Sequence, residues 1–367
     1  MSGATYEQAQ VNANAPRVIV FAGPNGSGKS TTNHRVLQDP ELNFHGEYIN
    51  ADDIAKSLES EISDYHERNV KAAEIAEQRR QKAMQEGRPF AFETVMSTPE
   101  KVAIMAQAKA RGYDVSLVFV TTNDPEINIK RVAVRVAKGG HSVKPDAIRK
   151  RYRSAMALLP CALEHADTAL IVDNSYEQPL DVALKKNDGH LQVLSDNPPA
   201  WVSEKLLKPY HAREISREQI EKAFDAQCAS SASLPAVLAD ADASNGKTYR
   251  GTIIEVTQHH ALQQTEANKF IVHDRSLSVA QELIVGQQAT IGYAYDKGKI
   301  AAPTPSPGLA RISLSALGDR QAYKRAKAPT RPALTQEQQA ALRKRLGDVG
   351  RSADATQRPE PDDGPSP

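Results

Sequence analysis

Short apolar runs alternate with amphipathic stretches through the first half of the chain. A nearly continuous apolar run is typical of a strand covered on both faces, whereas apolar residues at helical spacing indicate a helix packed on one side. Prolines open and glycines close several of the helical stretches, as at Pro99 and Gly112. The pattern predicts strands at residues 18–22, 47–50, 89–94, 115–120 and 168–172. It predicts helices at residues 31–37, 54–58, 69–85, 99–111, 125–137 and 145–159.

This alternation predicts a domain of the α/β class at residues 16–205. Strands that alternate with helices form a parallel sheet flanked by helices, and such sheets bind ligands at the carboxyl ends of their strands. The pattern weakens around residues 187–199, where turn signals accumulate, so the edge of the domain is expected between about residues 195 and 210. Residues 206–247 are predicted to be a helical bridge, with its helix at 214–228, followed by a linker of small residues.

From Tyr249 the chain changes to short β-rich runs separated by polar turns. They predict a small β domain at residues 248–302, an antiparallel barrel or sandwich near the lower size at which a domain folds alone. Residues 1–15 are predicted to be a disordered lead and residues 303–367 a largely disordered tail, with one helical pattern at 335–346.

Composition and charge mainly exclude classes of function. The 367 residues suit two domains plus tails, and 46 basic against 45 acidic side chains give a net charge of +1, so the bulk charge indicates neither nucleic acid nor a membrane as partner. Cys161 and Cys228 show no ligand spacing, which favours a reducing compartment without a disulfide framework or structural zinc. The start of the chain lacks the features of a signal peptide and no apolar run approaches ~18 residues, so we expect a cytoplasmic protein without a membrane partner.

A glycine-rich loop between the first predicted strand and helix carries the strongest chemical signal. It consists of Gly23, Pro24, Asn25, Gly26, Ser27, Gly28, Lys29 and Ser30, with Thr31 directly after it. The glycines allow successive N–H groups to point into one anion-binding hollow, and the helix N-terminus adds its positive dipole. Lys29 is expected to reach the β- and γ-phosphates, and the Ser30 hydroxyl is expected to bind Mg²⁺. The loop therefore predicts a nucleotide-binding site.

Carboxylates follow two other predicted strands. Phosphoryl transfer often needs a carboxylate that takes the proton of the acceptor hydroxyl, and Asp52 is our candidate for this base, with helix capping as the alternative. Its neighbour Asp53 could equally be the helix N-cap. Glu93 ends a strand, where it could organise Mg²⁺ through water, hold the acceptor hydroxyl or simply cap the strand. We expect Asp53, Glu93 and Thr94 to contribute to the acceptor side of the site.

Basic residues are concentrated between the fourth predicted strand and the fifth. They are Arg131, Arg135, Lys138, His141, Lys144, Arg149, Arg151 and Arg153. Residues 138–142 separate two helices with glycines, as a lid over a nucleotide would. Charges on helices are usually solvated, so we expect only one or two to touch phosphate: Arg135 first, and Arg149 or Arg153 second.

The β-rich part offers weaker candidates. His259, His260 and His273 have no cysteine or acidic partner at ligand spacing, which favours surface or turn histidines over a metal site. The aromatic residues Tyr249, Phe270, Tyr293 and Tyr295 could stack on nucleic acid bases, although residues at alternating spacing more often fill a core.

Taken together, these segments resemble the zeta toxins of toxin–antitoxin systems, which act as UDP-N-acetylglucosamine kinases. The resemblance rests on the glycine-rich loop, on INADDIA at residues 49–55, on FAFET at 90–94, on residues 131–141 with their KGGH turn, and on residues 149–159. It covers about residues 17–194 and implies a P-loop kinase that uses ATP or GTP with Mg²⁺. It also implies an antitoxin protein as a partner.

The resemblance implies roles for individual residues. Asp52 matches the catalytic base, Lys29 the phosphate-binding lysine, Glu93 the acidic residue of the acceptor pocket and Arg135 one of two transition-state arginines. The acceptor implied is the 3′-hydroxyl of the amino sugar of a UDP-sugar. His141 lies where some zeta toxins carry the second arginine, so Arg149 or Arg153 is expected to substitute. The residues after Glu93 depart from the family pattern, which leaves the acceptor open.

Residues 249–298 resemble the Kfr-type domain of plasmid-associated proteins, which could attach the enzyme to a partner or to DNA. Two alternatives to a UDP-sugar kinase stay open. One is phosphorylation of another hydroxyl, on a small molecule, a nucleic acid or a protein. The other is a plasmid maintenance protein that uses the nucleotide as a switch, which would need no base such as Asp52 beside the loop.

Overall fold

The computed structural model describes residues 15–38, 44–140, 142–185, 189–229, 235–279, 282–296 and 298–301. The predicted disordered lead lies almost entirely outside this range, and the predicted tail, with its helical pattern, lies wholly outside it. Seven strands of the first part are β1 (Arg17–Ala22), β2 (Glu47–Ile49), β3 (Phe90–Thr94), β4 (Asp114–Thr121), β5 (Thr168–Asp173), β6 (Leu180–Lys185) and β7 (Leu191–Val193). Its helices are α1 (Lys29–Leu37), α2 (Ala51–Ser57), α3 (Tyr65–Gln85), α4 (Pro99–Ala110), α5 (Pro125–Ala137) and α6 (Pro145–Glu164).

These strands form one sheet in the order β2-β3-β1-β4-β5-β6-β7. The pairs from β2 to β5 are parallel, as the alternation with helices predicts, and β6 and β7 extend the edge in antiparallel orientation. Side chains of β1 alternate between two covered faces. Val18 and Val20 face the main core, whereas Ile19 and Phe21 face α1. The α/β prediction is confirmed.

The second part is a five-stranded sheet in the order β12-β9-β10-β11-β8. Its strands are β8 (Val237–Asp240), β9 (Thr248–Val256), β10 (His260–Glu266), β11 (Lys269–Asp274) and β12 (Gln288–Gly292), followed by the short pair β13 (Tyr295–Asp296) and β14 (Lys299–Ile300). A π-helical turn at Val202–Leu207 leads into α7 (Lys208–Ala229), so the bridging helix begins earlier than predicted. Strand β8 lies in the stretch expected to be a linker, and it pairs in parallel with β11.

The β-rich part is packed on both faces. On one face, Ile220 and Phe224 of α7 contact Phe270 and Val272, and the rings of Phe224 and Phe270 are 5.2 Å apart in an edge-on arrangement. On the other face, Tyr293 joins the same core as α4 and the first sheet. Phe270 and Tyr293 are therefore core residues and do not form an exposed stacking surface for bases.

A buried ionic cluster links the two parts; we call Glu164, His165, Arg213, His260 and Asp274 the junction cluster. Arg213 on α7 donates from Nε to Glu164 Oε2 (2.6 Å) and from Nη2 to Asp274 Oδ2. His165 Nε2 lies 3.0 Å from Asp274 Oδ2, and His260 Nε2 lies 2.6 Å from Glu164 Oε1. Burial alone would raise the pKa of Asp274, but the His165 hydrogen bond and the Arg213 guanidinium hold it well below its usual range.

The expectation that all three histidines lie at the surface or in turns is wrong for two of them. His259 lies in a turn and is partly buried, but His260 and His273 are buried at 1% and 0% exposure. His273 Nδ1 accepts from the Tyr293 hydroxyl (3.0 Å), and its Nε2 donates to Gln263 Oε1 (3.2 Å). Strand alternation places His273 on the face of β11 that points away from α7, opposite to the face that carries Phe270 and Val272.

Burial lowers the pKa of His273 to about 3, so this imidazole stays neutral in the folded protein while the unfolded chain binds a proton below pH 6.5. The contribution of this neutral imidazole to the free energy of unfolding is therefore fully present above the unfolded pKa. As the pH falls from about 6 to 4, that contribution decreases by about 1.4 kcal/mol per pH unit. We expect His273→Gln to reduce this slope relative to the wild type. Urea unfolding across this pH range measures it, with exposed His66→Gln as the control; equal slopes in all three proteins would contradict the assignment.

Candidate active site

The strand register brings three chain segments to one edge of the first sheet. Ala22 at the end of β1 pairs with Thr94 at the end of β3, and Ile49 at the end of β2 pairs with Phe92. Parallel strands end at the same edge, so the glycine-rich loop, Glu93 and the start of α2 converge there.

The loop adopts backbone conformations that require glycine. Gly23 has φ 142° and Gly28 has φ 96°, both outside the range that other residues readily adopt. A Cβ on Gly23 would lie 1.9 Å from the Val120 carbonyl oxygen, and one on Gly28 would lie 2.2 Å from Asn174 Nδ2. Gly28 is the N-cap of α1 and no side chain caps this helix end, so the end suits an anion.

Neighbouring elements hold the loop in this conformation. Gly23 N donates to the Thr94 carbonyl at 3.2 Å. Asn128 of α5 donates from Nδ2 to the Asn25 carbonyl at 2.8 Å, and Asn174 donates to the Ser27 carbonyl at 2.7 Å. The conformation of the glycine-rich loop is thus fixed by residues that the sequence motif does not include.

Lys29 lies at the centre of the site with its ammonium group folded onto the loop. Its Nζ donates to the carbonyls of Gly23 (2.8 Å) and Pro24 (3.0 Å) and lies 3.7 Å from Glu93 Oε1. Burial lowers the pKa of Lys29, while the carboxylates of Glu93 and Asp52 act in the opposite direction and the Arg135 guanidinium lowers it further. Glu93, Asp52 and Arg135 are therefore all within electrostatic reach of the lysine.

Glu93 faces α1 because it alternates with Phe92, whose ring is in the main core. Its Oε2 accepts from Asn33 Nδ2 (2.9 Å), Ser30 Oγ (3.3 Å) and the Tyr48 hydroxyl (3.4 Å). Burial raises the pKa of Tyr48 to about 12, so it remains a hydrogen-bond donor. Glu93 thus lies beside Ser30, the residue expected to bind metal. Asn33 and Tyr48 were missed; the signal for Asn33 is its spacing of three residues from Ser30 on one helix.

The two aspartates lie in the first turn of α2. Asn50 is the N-cap and accepts from Asp52 N at 2.9 Å, so the alternative in which Asp53 caps the helix is wrong. Asp53 is exposed and pairs with Lys56 at 3.4 Å, one turn further along the helix. The Asp52 side chain is exposed, as a base that must reach an acceptor needs to be, and its charge acts on Lys29.

Thr94 contacts the loop and the segment that follows β3. Its carbonyl accepts from Gly23 N, and its Oγ1 accepts from Met96 N at 3.0 Å. Met96 is buried and has φ 51°, a left-handed conformation that is strained for a residue with a side chain. Strain of this kind is often retained at functional sites.

One face of α5 points towards the loop. It carries Asn128, Arg131 and Arg135 at helical spacing. Arg131 Nη1 is buried without a hydrogen-bond partner among the described residues. The Arg135 side chain passes close to Gly140, where a Cβ would lie 2.6 Å from Arg135 Cγ. The lid predicted at 138–142 is described except for His141, which lies outside the described residues.

The arginines of α6 differ from expectation. Arg149 is bound in a two-point arrangement to Glu126, with Nε–Oε1 at 2.7 Å and Nη2–Oε2 at 3.1 Å, and it also contacts Asp146. Arg153 is exposed. Arg151 instead reaches the loop, where its Nη1 donates to Asn25 Oδ1 at 3.1 Å.

Comparison with known proteins agrees with this arrangement. The zeta toxin family model matches residues 3–197, and the KfrB domain model matches residues 248–302. An uncharacterized protein of Haemophilus influenzae is 29% identical over 141 residues, which cover 37% of this chain and 92% of that protein.

Similarity to solved structures is more distant. The structure of the PezAT chromosomal toxin–antitoxin system of Streptococcus pneumoniae shares 20% identity at a TM-score of 0.36, covering 46% of this chain and 72% of that chain. The AvrRxo1-ORF1:-ORF2 structure with ATP shares 15% identity at a TM-score of 0.42, covering 53% of this chain and 64% of that chain.

A glycine-rich phosphate loop on a parallel sheet, with a buried lysine and carboxylates at the strand ends, defines a P-loop phosphotransferase. The chain belongs to the zeta toxin family, and its residues 248–302 match the KfrB domain. Both resemblances expected from the sequence are confirmed. Among the described residues, no helix combines the length and apolarity that crossing a bilayer requires.

Proposed function

We propose that the protein is a Mg²⁺-dependent kinase that transfers the γ-phosphoryl group of ATP, or of GTP, to a hydroxyl of a UDP-amino sugar. The observation that carries this proposal is the convergence of Lys29, Glu93 and Asp52 at the ends of three neighbouring strands. Membership of the zeta toxin family supports UDP-N-acetylglucosamine, at its 3′-hydroxyl, as the acceptor. It also supports a toxin role in the cytoplasm with an antitoxin protein as partner.

The residues of the site have distinct tasks in this proposal. The loop amides, Lys29 and Thr31 at the start of α1 bind the phosphates, and Arg135 offsets negative charge that develops in the transition state. Asp52 accepts the proton of the attacking hydroxyl. The acceptor is held near Asp53 and Thr94, and the task of Glu93 follows from its contact with Ser30.

The oxygen donors beside Lys29 fit a magnesium ion. Ser30 Oγ and Glu93 Oε2 lie 3.3 Å apart, and hard oxygen ligands of this type are those that Mg²⁺ prefers. Ser30 would bind the ion, and Glu93 would orient Ser30 or a bound water. When bound, the ion would neutralise charge on the phosphate oxygens. These contacts favour the metal-organising role for Glu93 over direct binding of the acceptor.

One observation favours another hydroxyl as acceptor. The segment from Thr94 through the strained Met96 lies beside the site, and it is where the sequence departs from the family pattern. A differently shaped acceptor pocket at this segment would change which acceptor fits. The glycine-rich loop and Asp52 would keep their roles.

A direct assay separates these alternatives. We expect incubation with ATP, Mg²⁺ and a panel of UDP-sugars to give a product heavier by one phosphate in mass spectrometry, with UDP-N-acetylglucosamine preferred. Lys29→Met serves as the inactive control, because it removes the charge that contacts the phosphates. Product from another class of hydroxyl, but from no UDP-sugar, would reject the proposed acceptor and retain the kinase; ATP binding without any transfer would favour a nucleotide switch.

A further inference from the structure

Helix α6 is fixed against the edge of the sheet that carries the loop. The Tyr152 hydroxyl donates to the Thr122 carbonyl, just beyond β4, at 2.6 Å, and Ile148 and Tyr152 are buried. The adjacent Arg151 is therefore presented from a fixed backbone. Its partner Asn25 is also fixed, since Asn128 holds the Asn25 carbonyl from α5.

The position of Lys29 indicates which end of the loop receives the γ-phosphate. A P-loop lysine reaches the β- and γ-phosphates, and Lys29 Nζ lies on the carbonyls of Gly23 and Pro24. The other end of the loop leads into the N-terminus of α1, which holds the phosphates nearer the nucleoside. Asn25 directly follows Pro24, so the Arg151 guanidinium lies at the γ end.

Arg151 also has the charge to act there. Arg149 is neutralised by Glu126 and Asp146, whereas no carboxylate pairs with Arg151 in the part of the chain that the structure describes. Its contact with Asn25 is to a neutral amide oxygen and uses one of five N–H donors. Exchange of that amide oxygen for a phosphate oxygen is favourable, because the guanidinium then pairs with an anionic acceptor and can bind it through two parallel N–H donors.

We propose that Arg151, rather than Arg149 or Arg153, is the second arginine that contacts the transferred phosphoryl group; this rests on the proposed kinase function. The acceptor oxygen forms the new P–O bond while the bond from the γ-phosphorus to the β–γ bridging oxygen breaks. The bonding pair leaves with the nucleoside diphosphate, ADP or GDP, and the proton of the acceptor passes to Asp52. Arg151 forms no covalent bond and offsets the charge on the phosphoryl oxygens.

The test compares two nucleotides that differ at the γ-phosphate. Calorimetric titration of full-length Arg151→Gln is expected to show roughly tenfold or greater loss of affinity for Mg²⁺–AMP-PNP and unchanged affinity for Mg²⁺–ADP, since hydrogen bonds to charged groups are among the stronger ones. Arg151→Lys is expected to recover part of the loss. Lys150→Gln, which removes the same charge from the neighbouring exposed position, is the matched control.

The outcomes separate this inference from the function on which it rests. If the wild-type protein binds neither nucleotide, the kinase proposal and the inference both fail. If the wild type binds AMP-PNP and Arg151→Gln binds it equally well, the inference alone is overturned. It is also overturned if Arg149→Gln or Arg153→Gln selectively loses AMP-PNP affinity and Arg151→Gln does not. With an active acceptor, we expect kcat of Arg151→Gln to fall about 10²–10³-fold.

Discussion

Turnover by Asp52→Asn is expected to fall about 10²–10⁴-fold with nucleotide affinity retained, as is typical when a general base is removed. Asparagine keeps the size and shape of the side chain but cannot take the proton of the acceptor hydroxyl. The substitution should not disturb α2, because the contact with the Asn50 cap is made by the backbone N–H of residue 52. The loss is therefore expected in kcat, measured with whichever acceptor the UDP-sugar assay identifies.

A conservative control is Glu61→Gln, which removes an exposed carboxylate a few residues after the end of α2. Affinity for Mg²⁺–ADP should be the same in both variants and in the wild type. Turnover equal to the wild type, or a loss explained entirely by weaker nucleotide binding, would reject Asp52 as the base.

The features of this site that could be predicted from the sequence are those set by local geometry. The glycine-rich loop requires left-handed glycines and a strand before it, and the sequence shows both. Asp52 and Glu93 could be placed near the loop because each follows a predicted strand, and parallel strands end at one edge. The role of Glu93 could not be chosen, because its contact with Ser30 depends on which face of β3 meets α1.

The arginines show where sequence reasoning stops. Residues 149 and 153 share a helix face, and residue 151 lies on another, but spacing does not say which face of α6 meets the loop. That choice is made by the docking of Tyr152 on the end of β4. For the same reason, Arg149 was expected at the phosphates, although the nearby Glu126 on α5 binds it.

The packing of the β-rich part on the first part, the β1–β7 sheet with its helices that we call the kinase part, could also not be predicted from the sequence. The members of the junction cluster are dispersed from residue 164 to residue 274, and no local pattern relates them. Strand β8 was missed because its residues are small and few, and its pairing partner β11 lies far along the chain. Tertiary contacts of this kind override local propensity.

Asp274→Asn is expected to lower the free energy of unfolding by about 3–5 kcal/mol, the usual effect of removing one partner of a buried ion pair. Asp274 Oδ2 accepts from His165, Arg213 and the Cys161 thiol, and the carboxylate is 6% exposed. Asparagine would leave the Arg213 charge only partly compensated inside the protein. Urea unfolding of the full-length protein near pH 7 measures the change, with exposed Asp296→Asn as a control that should stay within about 0.5 kcal/mol of the wild type.

A zinc titration tests a different role, because Cys161, His165 and Asp274 bring three ligand atoms within 4.8 Å of one another. Arg213 already neutralises this carboxylate, so we expect zinc to leave the unfolding midpoint of the wild type unchanged; a clear rise would instead make the cluster a metal site.

Urea unfolding of the wild type and of Asp274→Asn also tests whether the junction cluster makes the kinase part and the β-rich part unfold together. Trp201 is the single tryptophan of the chain, and its indole donates to Asp173 Oδ2 at the end of β5, so its fluorescence reports on the kinase part. Circular dichroism reports on all helices and strands at once. If the junction cluster couples the parts, both signals should change at one urea concentration in the wild type and at two in Asp274→Asn. Separate transitions already in the wild type would show that the β-rich part unfolds independently of the kinase part.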